Sequence, residues 1–383
     1  MTTYKVQIQP SGREFSVSAE QTVLAGALAA GINLPYGCKD GACGSCKGRV
    51  LAGTVAHGAH TRTALGAEEE ASGHALFCCA HARSDLVIEA RIADALDGIT
   101  PRKMPARIEH IEWVARDVAM LTLKLPASEQ LVFRAGQYVD FILPNGVRRS
   151  YSIASMPGAP GPIEFHIRHM PGGTFTDALF GLTAPAVKER GILRIEGPLG
   201  TFFLREDDPH PLLLLASGTG FAPIKAIVET IFEKGLHRDD PVTGRRGRPV
   251  ILYWGARSRA DLYLDALPRR WEREHGNFRY VPVLSEPEAS QAGPAPADAA
   301  HPDGMNPPAN ADAAAPWTGR TGLVHQAVMQ DFADLSAYQV YACGVPIMVQ
   351  SAHRDFTAQC GLPEENFFSD AFISRADLPP ATT

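Results

Sequence analysis

The sequence predicts a multidomain chain of three unlike parts: a small α+β domain over residues 1–95, an antiparallel β-barrel over 104–205, and a parallel-sheet α/β domain over 206–383. Three observations predict it. Two alternating runs and an apolar helix lead into a loop crowded with cysteine and glycine. Short alternating runs separated by turn residues follow. The last part opens with a continuous apolar run, a glycine turn and a helix, and then repeats strand and helix. A length of 383 residues suits two or three domains.

Composition narrows the function classes. The chain is 45% hydrophobic and 20% charged, as soluble globular proteins are. A formal net charge of -6 argues against a general nucleic-acid binder. No apolar run approaches the roughly eighteen residues of a membrane span. "MTTYKVQIQPSGREFSV" alternates like a strand and lacks a signal-peptide core, so a cytoplasmic protein is expected. The seven cysteines are odd in number and bunched near the start, which is not a secreted disulfide framework.

The first part is organised around "PYGCKDGACGSC". "TYKVQIQ" and "REFSVSA" read as strands joined at "PSG", and "TVLAGALAAG" as a helix with a Thr cap. The spacing Cys38-x4-Cys43-x2-Cys46, with a further ligand at Cys78 or Cys79, is the plant-type 2Fe-2S pattern. Such a cluster carries sulfide charge and needs backbone N–H groups pointing inward. A chain that wraps so tightly needs residues without bulk, and Gly37, Gly41, Gly44, Ala42 and Ser45 supply them. Structural zinc usually shows two C-x2-C knuckles, and this loop has one. Strands, helix and cysteine loop together resemble the β-grasp ferredoxin domain. The resemblance picks Cys78 as the fourth ligand and leaves Cys79 a bystander. Residues 1–95 hold eight Lys/Arg and nine Asp/Glu, a near balance that departs from the strongly acidic plant ferredoxins.

"DALDGITPRKMP" loses periodicity and reads as a linker. The barrel part carries "RRSYS", in which Arg149-x-Tyr151-Ser152 resembles the flavin motif of the ferredoxin–NADP reductase superfamily. An Arg fork can pair a pyrophosphate, a Tyr ring can lie on an isoalloxazine, and a Ser hydroxyl can reach flavin N5. Arg149 and Tyr151 share one face of a strand. "HMPGGTFTDALF" then turns on glycines into a helix start, where a pyrophosphate would sit. Gly172, Gly173, Thr174 and Thr176 match the family's second flavin loop, which points to FAD.

In the last part, "LLLLASGTGFAP" is strand, glycine turn and helix. Gly218, Thr219, Gly220 and Pro223 form a phosphate cradle that resembles the NAD(P) domain of the same superfamily. After "VILYWGA", the loop bearing Arg257, Ser258, Arg259 and Asp261 is where the family meets the adenosine ribose. It offers a base and an acid, which suits either cofactor; the string resembles the "GARS" loops of NADH users, so NADH is favoured and NADPH stays open. Cys343-Gly344 matches the family's cysteine beside the nicotinamide. Phe372 is the candidate for the aromatic over the flavin, with Phe367 and Phe368 as rivals. Residues 286–316 are Ala/Pro-rich and read as a disordered surface insertion. "GRRGRP" reads as a solvated basic turn.

The three parts in order resemble the iron–sulfur flavoprotein reductases over nearly the whole chain. That group includes reductase components of oxygenases and the reductases of deoxysugar synthesis, and "PYGCKDGACGSCKG", "GGTFTDALF" and "FFSDAF" look most like the latter. The resemblance implies NADH-dependent electron transfer through FAD and a 2Fe-2S cluster to an acceptor protein, a dehydrase or an oxygenase component. Ser152 and Cys343 are the residues implied beside the reacting atoms, and neither nucleic acid nor membrane is implied as a partner. Two other functions fit fewer of the motifs. A flavin-only diaphorase would have full flavin and no iron, and a non-enzymatic carrier would not oxidise NADH.

Overall fold

The computed structural model describes residues 2–96, 98–287, 317–374 and 377–378. The expected disordered insertion therefore lies almost wholly outside the described residues. The chain forms two compact units: Met1–Ile99 with Gly200–Phe202 and Ser369–Thr383, and Thr100–Leu199 with Phe203–Phe368.

In the first unit the strands are β1 (Thr3–Gln9), β2 (Glu14–Ser18), β3 (Lys47–Ala52), β4 (Val55–His57), β5 (His74–Leu76), β6 (Ala80–Ala82) and β7 (Leu86–Glu89). Its helices are α1 (Val23–Ala29) and α2 (Ala67–Ala71). The main sheet runs β2-β1-β7-β3-β5, with β1 and β7 parallel and β1 and β2 antiparallel. Thr22 caps α1, its Oγ1 accepting from the Ala25 N–H at 3.2 Å. Val6, Ile8, Phe15, Val17, Leu24 and Phe77 fill the space between helix and sheet. Grasped this way, the α1 face and the sheet leave the long Gly31–Cys46 loop to wrap as its own residues dictate.

The second unit begins with a barrel of β8 (Arg102–Ala115), β9 (Val118–Lys124), β10 (Tyr138–Ile142), β11 (Arg148–Ser152), β12 (Ile163–Arg168) and β13 (Ile192–Leu199). Strand order is β11-β10-β13-β8-β9-β12, and an Ile153–Phe165 bridge closes the ring between its two ends. Helix α3 (Thr174–Leu179) plugs one end, its Phe175 ring edge-on to Phe141 at 5.4 Å.

The rest of that unit is a sheet in the order β17-β16-β15-β14-β18-β19. Its members are β14 (Leu212–Ser217), β15 (Val250–Ala256), β16 (Phe278–Leu284), β17 (Arg320–Thr321), β18 (Gln339–Gly344) and β19 (Phe367–Ala371), of which only the first two residues fall in this unit. Helices α4 (Phe221–Glu233), α5 (Ala266–Glu274), α6 (Val324–Asp331) and α7 (Pro346–Gln359) accompany it. The chain winds from β14 outward to β17, then returns to β18 on the other side of β14, and these pairs are parallel. The winding reverses at β14, so the crevice for a ligand opens at the carboxyl ends of β14 and β18.

One expectation is corrected. Arg248 of the basic turn is not solvated; it is only 2% exposed. Its guanidinium donates to the carbonyls of His210 and Arg205, at 2.7 and 2.9 Å, and to Gln339 Oε1 at 3.1 Å. The turn contributes a buried tie beneath the sheet, and its charge is satisfied by neutral acceptors.

A buried polar chain joins the barrel to the nucleotide sheet. His166 donates through Nε2 to Glu164 Oε1 at 2.8 Å and accepts at Nδ1 from the Tyr263 hydroxyl at 2.8 Å. Lys225 of α4 lies 3.2 Å from Glu164 and donates to the Ala154 carbonyl at 3.2 Å. Burial alone would raise the Glu164 carboxyl, but the His166 hydrogen bond and the Lys225 charge outweigh it and hold it at about 2. Its pKa is thus depressed by folding, so its stabilisation is present above the unfolded carboxyl range and is lost as pH falls through about 2. Replacing Glu164 by Gln is expected to cost about 3 kcal/mol at pH 7. In urea unfolding, the gap to wild type should narrow below about pH 4.5 and be roughly half gone near pH 3. A gap that does not change with pH would contradict this account of Glu164.

Candidate functional site

The thiols of the cysteine loop meet one another and Cys78. Cys38 and Cys43 hydrogen-bond each other, and Cys78 hydrogen-bonds both Cys46 and its neighbour Cys79. Within each pair one sulfur is driven acidic by its neighbour: Cys43 by Cys38, and Cys78 by Cys46. Backbone N–H groups aim at the same sulfurs. The Cys38 N–H donates to Cys43 Sγ at 3.4 Å and the Asp40 N–H to Cys38 Sγ at 3.3 Å. The N–H groups of Ala42 and Gly41 face Cys38 and Cys78. This wrapping needs glycine at position 41, where φ is +69° and an added Cβ would meet the Ala59 carbonyl at 2.6 Å.

Four sulfurs in two pairs, ringed by donors, fit a binuclear cluster with two protein ligands per iron. Among the described residues no three His, Cys, Asp or Glu side chains converge on one point as a single metal ion requires. Cys78 is 8% exposed and meets both Cys46 and Cys79, while Cys79 also donates to the Leu76 carbonyl at 3.5 Å.

In the barrel, β11 divides its side chains by alternation. Arg148 and Ser150 face outward to Asp140 and Glu196: Arg148 reaches Asp140 at 3.0 Å and Glu196 at 2.5 Å, and Ser150 donates to Asp140 at 2.6 Å. Arg149 and Tyr151 take the other face. Tyr151 packs its ring at 4.8 Å from Phe141 and 5.6 Å from Phe175, and burial pushes its phenol well up. Ser152 is buried at the end of the strand. This leaves Arg149, not its neighbour Arg148, uncommitted to an ion pair with those two acids.

The glycine turn before α3 is close-packed. A Cβ on Gly173 would meet Thr176 Oγ1 at 2.5 Å and the Met170 carbonyl at 2.7 Å, and Gly172 has the open side of the turn. Gly173 stands at the N-cap and Thr174 opens the helix. The Thr176 hydroxyl donates to the Met170 carbonyl at 2.9 Å and accepts from the Met170 N–H at 3.2 Å. Thr176 therefore braces the turn through its own side chain.

At the switch point, Gly218-Thr219-Gly220 form a 3-10 turn into α4, with Pro223 in its first helical turn. Cys343 is fully buried at the end of β18. A Cβ on Gly220 would lie 2.2 Å from the Cys343 carbonyl, so the two strand ends approach as closely as only glycine permits. Gly344 sits against Ser217, whose Oγ accepts from the Val345 N–H at 3.0 Å. In the loop after β15, Asp261 Oδ2 accepts from the Ser258 N–H and hydroxyl, both at 3.0 Å, while Arg257 is exposed. Phe372 is half-buried and lies in the first unit.

Arg168 was not singled out from the sequence. It ends β12 of the barrel, and its guanidinium stands 3.7 Å from the Cβ point of Gly218. Its Nε and Nη2 are buried without hydrogen-bond partners; Asp117 and Asp261 face them only at 3.5 and 3.8 Å. A cation with donors left over beside a phosphate-type turn fits a dinucleotide pyrophosphate. The sequence signal was an Arg at the end of a strand that leads directly into a glycine turn.

Known families match the chain in the same order. A 2Fe-2S iron-sulfur cluster binding domain matches residues 6–83, an oxidoreductase FAD-binding domain 105–204, and an oxidoreductase NAD-binding domain 214–295 and 297–354. The fold and these sites define an electron-transferring oxidoreductase. The chain belongs to the iron–sulfur flavoprotein reductases of the ferredoxin–NAD(P) reductase superfamily. It is 39% identical to the CDP-6-deoxy-L-threo-D-glycero-4-hexulose-3-dehydrase reductase of Yersinia pseudotuberculosis, over 96% of this chain and 98% of that protein. It is 33% identical to reductase component 1 of the terephthalate 1,2-dioxygenase of a Comamonas species, over 97% and 98%. The crystal structure of an Amycolatopsis cytochrome P450 reductase superposes with a TM-score of 0.68 at 31% identity, covering 96% of this chain and 98% of that one. The protein passes electrons from NAD(P)H through FAD to a 2Fe-2S cluster and on to an acceptor. Among the described residues no helix is long and apolar enough to cross a membrane.

The pairing of sulfurs decides the outcome at the adjacent cysteines. Cys78→Ser should lose the reduced 2Fe-2S EPR signal and most bound iron, whereas Cys79→Ser should keep both. Retention of the signal by Cys78→Ser with its loss in Cys79→Ser would reverse the ligand choice.

Proposed function

We propose that Cys38, Cys43, Cys46 and Cys78 hold the cluster, that Arg149, Tyr151, Ser152, Gly172, Gly173 and Thr174 receive FAD, and that Thr176 keeps its turn in shape. Gly218, Thr219, Gly220 and Pro223, with Arg168 beside them, receive the dinucleotide. Cys343 and Gly344 border the nicotinamide. Bound FAD takes two electrons together as hydride and releases them singly, which is why a reductase of this kind carries both a flavin and a cluster.

The chain's own residues supply position and exclude water. Arg149 offers a planar fork to a pyrophosphate, and Tyr151, pinned by Phe141 and Phe175, gives a fixed aromatic surface. Ser152 presents a hydroxyl from a buried backbone, and Cys343 presents a thiol from a position with no solvent exposure. No proton need be abstracted, so the site needs no acid–base pair. The observation that carries the reading is the double pairing of sulfurs, Cys38 with Cys43 and Cys46 with Cys78, under backbone N–H groups.

NADH is the favoured donor. Asp261 places a carboxylate in the ribose loop, where it would accept from ribose hydroxyls and repel a 2′-phosphate. The acceptor we favour is a dehydrase acting on a nucleotide-linked hexulose, because identity to the dehydrase reductase, 39%, exceeds that to the dioxygenase reductase, 33%.

Anaerobic addition of NADH to the FAD-loaded protein should bleach the flavin and raise a reduced 2Fe-2S EPR signal. In Cys46→Ser, flavin bleaching should persist while reduction of a one-electron acceptor falls at least tenfold. Loss of flavin bleaching in a folded, FAD-loaded Cys46→Ser would overturn this order of transfer. In the wild type kcat/KM for NADH should exceed that for NADPH by at least tenfold; a reversed ratio would remove Asp261 from the ribose site.

A further inference from the structure

The Gly218–Gly220 turn rests on an aromatic bed. Trp254, on β15, pairs across the sheet with Ala216 of β14 and is wholly buried. Its Nε1–H donates to the Gly218 carbonyl at 3.0 Å. The same carbonyl accepts the Phe221 N–H that closes the 3-10 turn. Both lone pairs of that oxygen are therefore engaged, and it has one orientation.

The indole is held as firmly as the oxygen it binds. Phe221 stacks on it at 4.0 Å with the planes 10° apart. Tyr263 meets its edge at 5.2 Å and 87°, and Tyr263 is itself anchored by the hydrogen bond to His166. His166 lies 6.4 Å from Phe221 with the ring planes 26° apart. Trp254 thus points its N–H along a line fixed by three rings from two domains.

Peptide geometry turns this into a functional statement. The Gly218 C=O and the Thr219 N–H belong to one planar trans peptide and point in opposite directions. An indole that holds the carbonyl inward turns the Thr219 N–H outward, away from the rings. The N–H groups at the start of a helical turn have no intrahelical acceptor and are the donors a phosphate uses. Arg168 stands at the adjoining position, 3.7 Å from the Gly218 Cβ point.

We propose that Trp254 is a positioning residue for the dinucleotide pyrophosphate: its indole N–H sets the Gly218 peptide so that the Thr219 N–H faces the phosphate. This rests on the assignment of the Gly218–Gly220 turn to the dinucleotide. Trp254 does not touch the nucleotide in this account; it acts through one peptide plane.

The test uses the full-length, FAD-loaded protein and rapid reduction of its flavin by NADH. Trp254→Phe keeps an aromatic ring in the stack and deletes the N–H. The half-saturating NADH concentration should rise about five- to tenfold, the effect of one positioned hydrogen bond. The limiting rate of flavin reduction, the FAD content and the flavin spectrum should not change. A role confined to packing would lower FAD content or melting temperature and leave half-saturation alone. Should Trp254→Phe lose FAD, replacement of Trp254 by 3-benzothienylalanine, which exchanges only the N–H for sulfur, gives the same reading. Arg168→Ala separates the two ways of failing. If it weakens NADH binding while removal of the indole N–H does not, the turn binds the dinucleotide and the role of Trp254 is overturned. If neither change weakens NADH binding, the assignment of the turn falls and the proposal falls with it.

Discussion

A carboxylate largely withdrawn from water needs partners in its place, and Glu164 draws its partners from both domains of the second unit. His166 comes from the same barrel strand, Lys225 from the helix that follows the Gly218–Gly220 turn, and Tyr263, through His166, from the segment after β15. Removing any one of them would leave a buried polar atom unpaired, which costs more than the bond itself contributes. The same lysine holds the Ala154 carbonyl, two residues beyond Ser152. The strand proposed to meet the flavin and the turn proposed to meet the dinucleotide are therefore tied to one charge pair. Hydride transfer depends on such fixed spacing, because reacting atoms must be held within a few tenths of an ångström of contact.

The carboxyl-end crevice shows the same economy of space. Gly220 and the Cys343 carbonyl are so close that a methyl group cannot intervene, and Ser217 fills the next position against Gly344. Nothing flexible separates β14 from β18 there. Arg168 reaches the turn from the barrel side with donors to spare. Pyrophosphate binding would satisfy those donors, so the cost of keeping them unsatisfied falls on the free protein and is relieved on binding.

Much of this was legible in the chain's local chemistry. The cysteine spacing reports its cluster because ligands to a small polyhedron must be a few residues apart, and the glycines between them report how tightly the backbone must turn. Arg149, Tyr151 and Ser152 sit on a strand, where period-two alternation alone places Arg149 and Tyr151 together. Contacts between distant segments left no such trace. Arg168 meets Gly218, and His166 meets Tyr263, only after the barrel has packed on the sheet, and local pattern in "IEFHIRHM" places the Arg before a glycine turn without announcing what it reaches. The basic turn misled for a related reason. Composition suggested solvent, but the Arg248 side chain finds three neutral oxygens in the interior. Thr176 was legible as a helix-start threonine and not as a brace, because its acceptor, Met170, lies before the turn it stabilises.

The blocks of sequence are not the blocks of space. Gly200–Phe202, which follow the last barrel strand, and residues 369–374 group with the iron–sulfur unit. Thr201 makes this concrete: its Oγ1 accepts from the Tyr36 N–H at 2.8 Å and donates to the Tyr36 carbonyl at 3.1 Å, two residues before Cys38. Splitting the gene at the Pro-containing linker would therefore not yield two self-sufficient products. The shorter one would carry a cysteine loop whose entry has lost its hydrogen-bonding neighbour, and the longer one would carry that neighbour with nothing to hold. An iron–sulfur module transplanted from another chain would have to bring its own version of Thr201.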